Sequence, residues 1–179
     1  MNQFEQEFVK QSVSFLLDDF LPKIELASWK MSDEQIWWRA NEESNSVGNL
    51  LLHLAGNVRQ WIVCGIGGAE DLRRRQGEFD QRGEVSQQEL LSDLRKTVEE
   101  ACQVLENLNA DSLLEKRFIQ GRETTILSAV YHVVEHFSMH AGQIVFAAKI
   151  FQGEMSFYDD AGGMAIPRWK RPDQTRVVY

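Results

Sequence analysis

The sequence contains little cysteine. Its two cysteines, Cys64 and Cys102, lie far apart in apolar stretches of a 179-residue chain and form no C-x-x-C pair. This pattern excludes the disulfide framework of a small secreted domain, and a chain of this length can bury a sufficient core without such cross-links. We therefore expect a single domain over residues 1–179 and a reducing compartment, the cytoplasm.

Positive charge and long apolar runs are also scarce. The chain has 19 Lys and Arg against 27 Asp and Glu, a net charge of -8 and a pI near 5.0. This acidity excludes nucleic acid and anionic membrane surfaces as expected partners. No apolar run approaches the roughly 18 residues of a membrane span, and the first residues, "MNQFEQEFVK", are acidic where a signal peptide would be basic.

Four long segments carry apolar residues at helical spacing, and no segment alternates with period two. The predicted fold class is therefore all-α. We expect the first helix over about residues 2–27, with Pro22 bending or ending it. A short helix follows, since Ser32 and Gln35 have the spacing of a capping box.

The other three long helices have recognisable end signals. Ser46 is the predicted N-cap of the second helix, which the glycine cluster at 65–68 ends. Ser86 and Glu89 form a capping box at the start of the third. The fourth is predicted from about 125 to 152, after a candidate cap at Thr124 and before a stop at Gly153.

About twenty residues connect the second helix to the third, too many for a tight hairpin. A connection of this length permits a crossover, so we predict an up-down-down-up four-helix bundle in which the fourth helix runs antiparallel to the second. Residues 154–179 are expected to form an extended tail.

Three of the four histidines fall within "YHVVEHFSMHAGQI", as His132, His136 and His140. Residues four apart on a helix differ by about 40° in direction, so these side chains form one stripe. The stripe also carries apolar neighbours, including Ala129 and Val133, and therefore faces the core. An unpaired imidazole would be costly there.

The fourth histidine, His53, lies in the second helix. It is roughly 18 Å from the end of that helix, and His136 is roughly 17 Å from the start of the fourth. In the antiparallel arrangement these levels match, so His53 lies level with His136 and His140. Helix geometry alone does not decide which pair from the fourth helix, 132 and 136 or 136 and 140, joins it.

Three imidazoles from two facing helices would form an open metal site with a coordination position left for water or substrate. Nitrogen ligands suit zinc, nickel, copper or iron. A divalent ion could activate a water or bind a thiolate, so hydrolysis and thiol transfer are both chemically open. The alternative is a metal-free bundle whose histidines bond to one another and to nearby carbonyls.

The segments "NLLLHLAGNVRQWI", "RRRQGEF" and "HVVEHFSMHAGQI" together resemble the DinB-like superfamily, and specifically an uncharacterised subgroup of it. The match in order and spacing extends from the first helix through the fourth. Members are metal-dependent enzymes built on a four-helix bundle, with one ligand histidine in the second helix and two more, four apart, in a later helix. The last ligand of the family precedes a segment like "AGQI", so the resemblance implies His53, His136 and His140 as ligands.

His132 is an extra histidine relative to that pattern. It is a candidate fourth ligand, a hydrogen-bond donor to a ligand, or a general base. Relatives include low-molecular-weight thiol transferases and a thiol-dependent isomerase. The resemblance thus implies a divalent metal, with zinc or nickel favoured, and allows a low-molecular-weight thiol as cofactor.

Weaker candidates for cofactor or substrate binding lie nearby. Asn57, one turn after His53, could donate a hydrogen bond near the metal or bond to backbone. Arg73 and Arg75, in the long connection, could bind a carboxylate of substrate or cofactor. The alternative for these arginines is a solvated charge run paired with Glu70, Asp71 and Glu78.

Together these features predict a metal-dependent enzyme that uses a Lewis acid for thiol transfer or hydrolysis of a small molecule. The competing hypothesis is a non-catalytic bundle that binds metal or a small ligand as a stress-linked buffer or sensor. Apolar residues along the first helix suggest a homodimer.

Overall fold

The structure is a computed structural model that describes residues 3–109, 112–153, 155–161 and 163–168. The described residues form a mostly helical fold, as predicted, with two small β-hairpins added. Half of the predicted tail, residues 154, 162 and 169–179, lies outside the described residues. No helix in the described part of the chain is both long and apolar enough to cross a membrane.

The first helix, α1, changes its hydrogen-bond pattern along its length. It is α-helical over Gln3–Val13, π-helical over Ser14–Phe20 and α-helical again over Leu21–Ser28. The helix therefore does not end at Pro22, one of the two alternatives predicted there. The N–H of Leu21 donates to the carbonyl of Leu16, five residues back, immediately before proline, which has no N–H to donate.

The predicted capping residues begin the next two helices. Helix α2, Asp33–Trp37, starts with the capping box of Ser32 and Gln35. Helix α3 is α-helical over Val47–Val58 and π-helical over Arg59–Cys64, and it starts at Ser46, whose hydroxyl accepts from the N–H of Asn49. It ends at Gly65, the first residue of the predicted glycine stop.

The long connection after α3 contains a short helix, α4, over Arg75–Asp80. Helix α5, Gln87–Glu106, then begins with the predicted capping box of Ser86 and Glu89.

Helix α6, Ile126–Gln152, is capped by Thr125, whose side chain accepts from the N–H of Ser128. The predicted cap, Thr124, is one residue too early, because the side chain that accepts from an N–H of the first turn is that of Thr125, the last residue of the preceding strand. Gly153 ends the helix as predicted, with a φ of 58° that favours glycine.

Two antiparallel hairpins were not predicted. Strands β1, Lys116–Ile119, and β2, Arg122–Thr125, flank a two-residue turn in which Gln120 and Gly121 both have positive φ. Strands β3, Tyr158–Ala161, and β4, Met164–Pro167, form a second hairpin within the predicted extended tail. These strands, with the sequences KRFI, RETT, YDDA and MAIP, do not alternate polar and apolar residues, so the period-two signal is missing.

Helix α3 lies in the middle of the fold, in contact with α4, α5 and α6, while the last part of α1 packs on α6. The core between the long helices is apolar. Its fully buried side chains include Leu54 and Ile62 of α3, Leu94 of α5, and Val133 and Phe137 of α6. The histidines of α3 and α6 lie beside this core, and α4 covers His53 from outside.

Candidate metal centre

Three histidines meet between α3 and α6. The Nε2 atom of His136 lies 3.1 Å from Nε2 of His53 and 3.2 Å from Nε2 of His140. One nitrogen from each of the three rings lies within 4.8 Å of the others. His53 is buried, and the other two are partly buried.

The antiparallel passage of α3 and α6 creates this meeting point. His53 contacts His136, whereas Asn57, four residues later on α3, lies beside His132, four residues earlier on α6. A move of one turn towards the C-terminus of α3 therefore corresponds to a move of one turn towards the N-terminus of α6, so the two helices run antiparallel. The match of axial levels expected from the sequence is present in the structure.

The outer nitrogen of His53 is occupied by a carboxylate. Its Nδ1 lies 2.8 Å from Oε2 of Glu78, a residue of α4. An ionised carboxylate only accepts hydrogen bonds, so Nδ1 carries the proton and donates it. With the proton of this imidazole on Nδ1, its Nε2 presents a lone pair towards His136 and His140.

His140 is arranged in the same way. Its Nδ1 lies 2.6 Å from Oε1 of Gln143, an acceptor, so this ring also carries its proton on the outer nitrogen. Burial lowers the pKa of His140, and the nearby His53 lowers it further, although the bond to Gln143 opposes this. Its Nε2 is therefore a second lone pair facing inward.

His136 completes the group and is held neutral. Burial and then the neighbouring rings of His140 and His53 lower its pKa to about 3. Its Nδ1 is buried and has no hydrogen-bond partner among the described residues. With a proton on Nε2, the ring can donate to only one of its two neighbours; with a proton on Nδ1, three lone pairs face one another.

A cation resolves this mismatch, because each of three neutral imidazoles can direct one lone pair at it. The donor set of His53, His136 and His140 therefore fits a divalent transition metal, for which imidazole nitrogen is a favoured ligand. The three residues could hold such an ion.

Glu78 was not singled out in the sequence as part of the site. It was expected in a solvated charge run, but its side chain is only 11% exposed and that of its partner Arg73 only 5%. Burial alone would raise the pKa of Glu78, but hydrogen bonds from His53 and Arg73 outweigh it, and the net pKa is lowered. The solvated interpretation is therefore wrong for this pair.

The weaker candidates lie around the centre in different ways. Arg73 directs its guanidinium at Glu78 and at Oε1 of Gln60. Arg75 stacks over the ring of Phe79, 4.9 Å from its centroid. Their predicted contacts with a cofactor stay predictions.

His132 lies one turn from the group. Its Nε2 is 3.4 Å from Nδ2 of Asn57, and its ring packs 4.3 Å from that of Trp61. Burial lowers its pKa, and the charge of Arg122 lowers it further. His132 does not belong to the compact group of ligand atoms found in the described part of the chain. Asn57 Oδ1 and Trp61 Nε1 are buried without a hydrogen-bond partner among the described residues.

Two cavities of about 500 and 470 Å³ lie elsewhere on the protein. The larger lies between α1, α6 and the segment around Phe157, and the smaller beside the end of α5. Neither lining includes one of the four histidines.

Both cysteines are buried and free. Burial raises the pKa of the Cys64 thiol, and it raises that of Cys102 to about 12. Both sulfurs are therefore thiols at neutral pH and poor nucleophiles.

Comparison with known proteins supports the resemblance. The sequence profile of the family described as protein of unknown function (DUF1572) matches residues 3–167. The chain belongs to this family. DUF1572 is a DinB-like family, so the relationship inferred from the histidine segments is confirmed. No curated protein matches this DUF1572 chain in sequence.

Solved structures agree on the fold of this DUF1572 chain. One is the crystal structure of a DinB-like protein from Bacillus cereus ATCC 10987, which superposes with a TM-score of 0.62. The alignment covers 79% of this chain and 89% of the other at 15% sequence identity. A likeness at this identity concerns the fold only.

Proposed function

We propose that this DUF1572 protein is a metal-dependent enzyme whose divalent ion, zinc or nickel, is held by His53, His136 and His140. The observation that carries the proposal is the position of two acceptor oxygens on the outer nitrogens of two rings, from which the direction of their lone pairs is inferred. Glu78 and Gln143 accept from the outer nitrogens of two rings and turn two lone pairs towards the third ring. A proton on Nε2 of His136 would satisfy only one of these two lone pairs, whereas a cation would satisfy both.

The proposed reaction is thiol transfer or hydrolysis on a small-molecule substrate. A bound divalent ion would supply Lewis-acid chemistry, which activates a water or a thiol near neutral pH. Three protein ligands leave a coordination position open, as catalytic sites require. A low-molecular-weight thiol is the proposed co-substrate for the transfer reaction.

The remaining residues have proposed supporting roles. His132 is the proposed general base or fourth ligand, and the support for this is that the centre of its ring lies 5.5 Å from that of His136. Asn57, beside it, and Arg75, on α4, are the proposed contacts for substrate or cofactor.

We further propose an up-down-down-up order of the four long helices, one domain over 1–179, a cytoplasmic location and a homodimer. The support for dimerisation is the exposed apolar surface. Phe4 and Phe15 of α1 are 67% and 44% exposed, and Phe146 of α6 is 72% exposed. Exposed aromatic side chains of this size are typical of protein–protein contacts.

The reaction can be tested directly. Protein reconstituted with zinc or nickel is mixed with a thiol such as cysteine or glutathione and an electrophile that releases a chromophore, and hydrolysis of activated esters is measured separately. The proposal predicts metal-dependent turnover that His136→Ala abolishes. If the wild type reacts no faster than His136→Ala with any thiol or ester tried, the result would contradict enzymatic activity.

The rival is a non-catalytic bundle that binds metal or a small ligand as a buffer or sensor. A substrate needs space beside the ion, so a closed coordination shell in metal-loaded protein would favour this rival. Stoichiometric metal without turnover would support this rival.

A further inference from the structure

We propose that Glu78 is a positioning residue for the metal centre, which fixes the ring of His53 with its Nε2 lone pair turned inward. This inference rests on the proposed metal site and adds to it a residue outside the ligand set. In its support, the structure shows a direct contact, a clamp on the carboxylate, an anchored backbone and a glycine that leaves the necessary room.

The direct contact is the 2.8 Å bond from His53 Nδ1–H to Glu78 Oε2. A carboxylate in this place fixes the tautomer and the orientation of the imidazole and increases the basicity of the opposite nitrogen. The ring of Phe79, 4.8 Å from that of His53, packs against the same imidazole and limits its rotation.

Arg73 clamps the carboxylate. Its Nε lies 2.6 Å from Glu78 Oε1, and its Nη2 lies 2.9 Å from Glu78 Oε2. Two parallel bonds of this kind fix the carboxylate plane as well as its position. The Nη1 atom of Arg73 donates to Gln60 Oε1 at 2.9 Å, so the guanidinium is itself tied to α3.

The backbone around Glu78 is anchored to the start of α3. The amide nitrogen Nδ2 of Asn49 donates to the carbonyls of Glu78 and Gln81, at 2.8 and 3.1 Å. Arg39 donates to the carbonyl of Phe79 at 3.0 Å. The two bonds of Asn49 tie the end of α4 to the helix that carries His53, and the bond of Arg39 ties it to the segment before that helix.

Gly56 leaves the room for this arrangement. A Cβ atom at position 56 would lie 2.1 Å from Glu78 Oε1 and 2.9 Å from Arg73 Nε. Any side chain there would displace the clamped pair. Gly56→Ala therefore moves Glu78 without changing a ligand or the carboxylate itself.

The first test measures the tautomer of His53 in metal-free protein, by two-bond ¹H–¹⁵N correlation at pH 8. We expect the proton on Nδ1 in the wild type. In Glu78→Ala, Nη2 of Arg73, 3.2 Å from His53 Nδ1, becomes the nearest hydrogen-bond donor, so the proton moves to Nε2. An unchanged tautomer would overturn the inference, whether or not the protein binds metal.

The second test measures zinc affinity by competition with a chelator. Glu78→Ala and Gly56→Ala are each expected to weaken binding by about 10- to 100-fold, the usual cost of losing such a partner. Asp80→Ala, an exposed position on the same helix, is the control and should bind as the wild type does. Equal affinities in wild type, control and Glu78→Ala would overturn the inference.

The two measurements distinguish a failure of the inference about Glu78 from a failure of the proposed metal site. A wild type that binds no zinc would contradict the proposed metal site, and the tautomer would still decide whether Glu78 orients His53. Thermal unfolding of each metal-free variant shows whether it is folded. Arg73→Met offers a second variant that loosens the carboxylate if Glu78→Ala does not fold.

Discussion

Nε2 of His53 lies 3.1 Å from Nε2 of His136, although 83 residues separate the two in the sequence. The contact joins two helices at a place where most neighbours are apolar. Two imidazole nitrogens that face each other need either a proton or a cation between them. His53 donates its own proton to Glu78, and a proton on Nε2 of His136 could reach only one of its two neighbours. A cation would satisfy this pair and also the third ring, His140.

The ligand set predicts graded losses of metal affinity. His53→Ala and His140→Ala should each reduce affinity by more than the roughly 10- to 100-fold expected for an outer partner, because each removes a direct bond to the ion. His132→Ala should reduce affinity less, since its ring lies outside the compact group. Isothermal titration with zinc measures all three.

Equal losses in the three variants would indicate four ligands or a different trio. Circular dichroism of the metal-free variants provides the control, since each must keep the helical content of the wild type for its affinity to be interpreted.

The depressed pKa values predict how the stability of the metal-free protein depends on pH. The pKa of His136 is lowered from 6.5 to about 3, so below pH 6.5 the unfolded chain binds a proton that the folded chain does not. The free energy of unfolding should therefore decrease as pH falls from about 6.5 towards 3. Urea denaturation at a series of pH values measures this slope.

The slope between pH 4.5 and 6.5 reports on the histidines. The pKa of Glu78 is also lowered. Its contribution to the free energy of unfolding is lost only as the pH falls below 4.5, the ordinary pKa of a glutamate. His136→Gln should have a shallower slope in that window than the wild type. A slope equal to that of the wild type would show that His136 titrates normally in the folded state.

Stability should depend on the apolar side of α6 and not on its outer side. Phe137 is fully buried and stacks on Phe20, so Phe137→Ala should lower the free energy of unfolding by about 3–5 kcal/mol. Phe146, on the same helix, is 72% exposed, so Phe146→Ala should change it by no more than about 0.5 kcal/mol in a monomer. Urea denaturation of metal-free protein compares the two, and equal losses would contradict the packing described for α6.

Homodimerisation is tested by sedimentation velocity. The chain has a mass of 20.6 kDa, and the proposal predicts a species of twice that mass at micromolar concentration. Phe15→Glu should shift the equilibrium towards monomer, because it places a charge in the proposed apolar contact. A wild type that sediments as a monomer would contradict the proposed homodimer.

The meeting of the histidines could be predicted because it depends on helix geometry. The glycine stop at Gly65 gave the end of α3, and a constant rise per residue, counted back from there and forward from the start of α6, then placed His53 level with His136 and His140. The apolar neighbours of the three later histidines showed which side of α6 faces the core. Helix ends and apolar spacing depend on residues that are close together in the chain, so they can be identified from the sequence.

The role of Glu78 could not be predicted in this way. It lies in a connection with several charges, and no periodicity distinguishes it from Glu70 or Asp71. Its place depends on long-range bonds from Asn49 and Arg73 that exist only in the folded chain. One signal of this arrangement was present in the sequence. Gly56, three residues after His53, is a glycine inside a helix, where a residue with a side chain would be expected.

The hairpins and the π-helical segments were missed for related reasons. The four strands do not alternate polar and apolar residues, and the turn at Gln120 lacks the usual Asn-Gly or Asp-Gly pair. A π-helical segment differs from an α-helix by one residue in its hydrogen-bond partner, which leaves the apolar pattern almost unchanged.

Metal analysis of protein purified without a histidine tag tests the central claim most directly. Wild type and His136→Ala are purified in parallel and measured by inductively coupled plasma mass spectrometry. Three converging imidazoles predict about one zinc or nickel ion per chain in the wild type and close to none in the variant. Equal and negligible metal in both, after incubation with either ion, would contradict the metal centre and leave three histidines that satisfy one another.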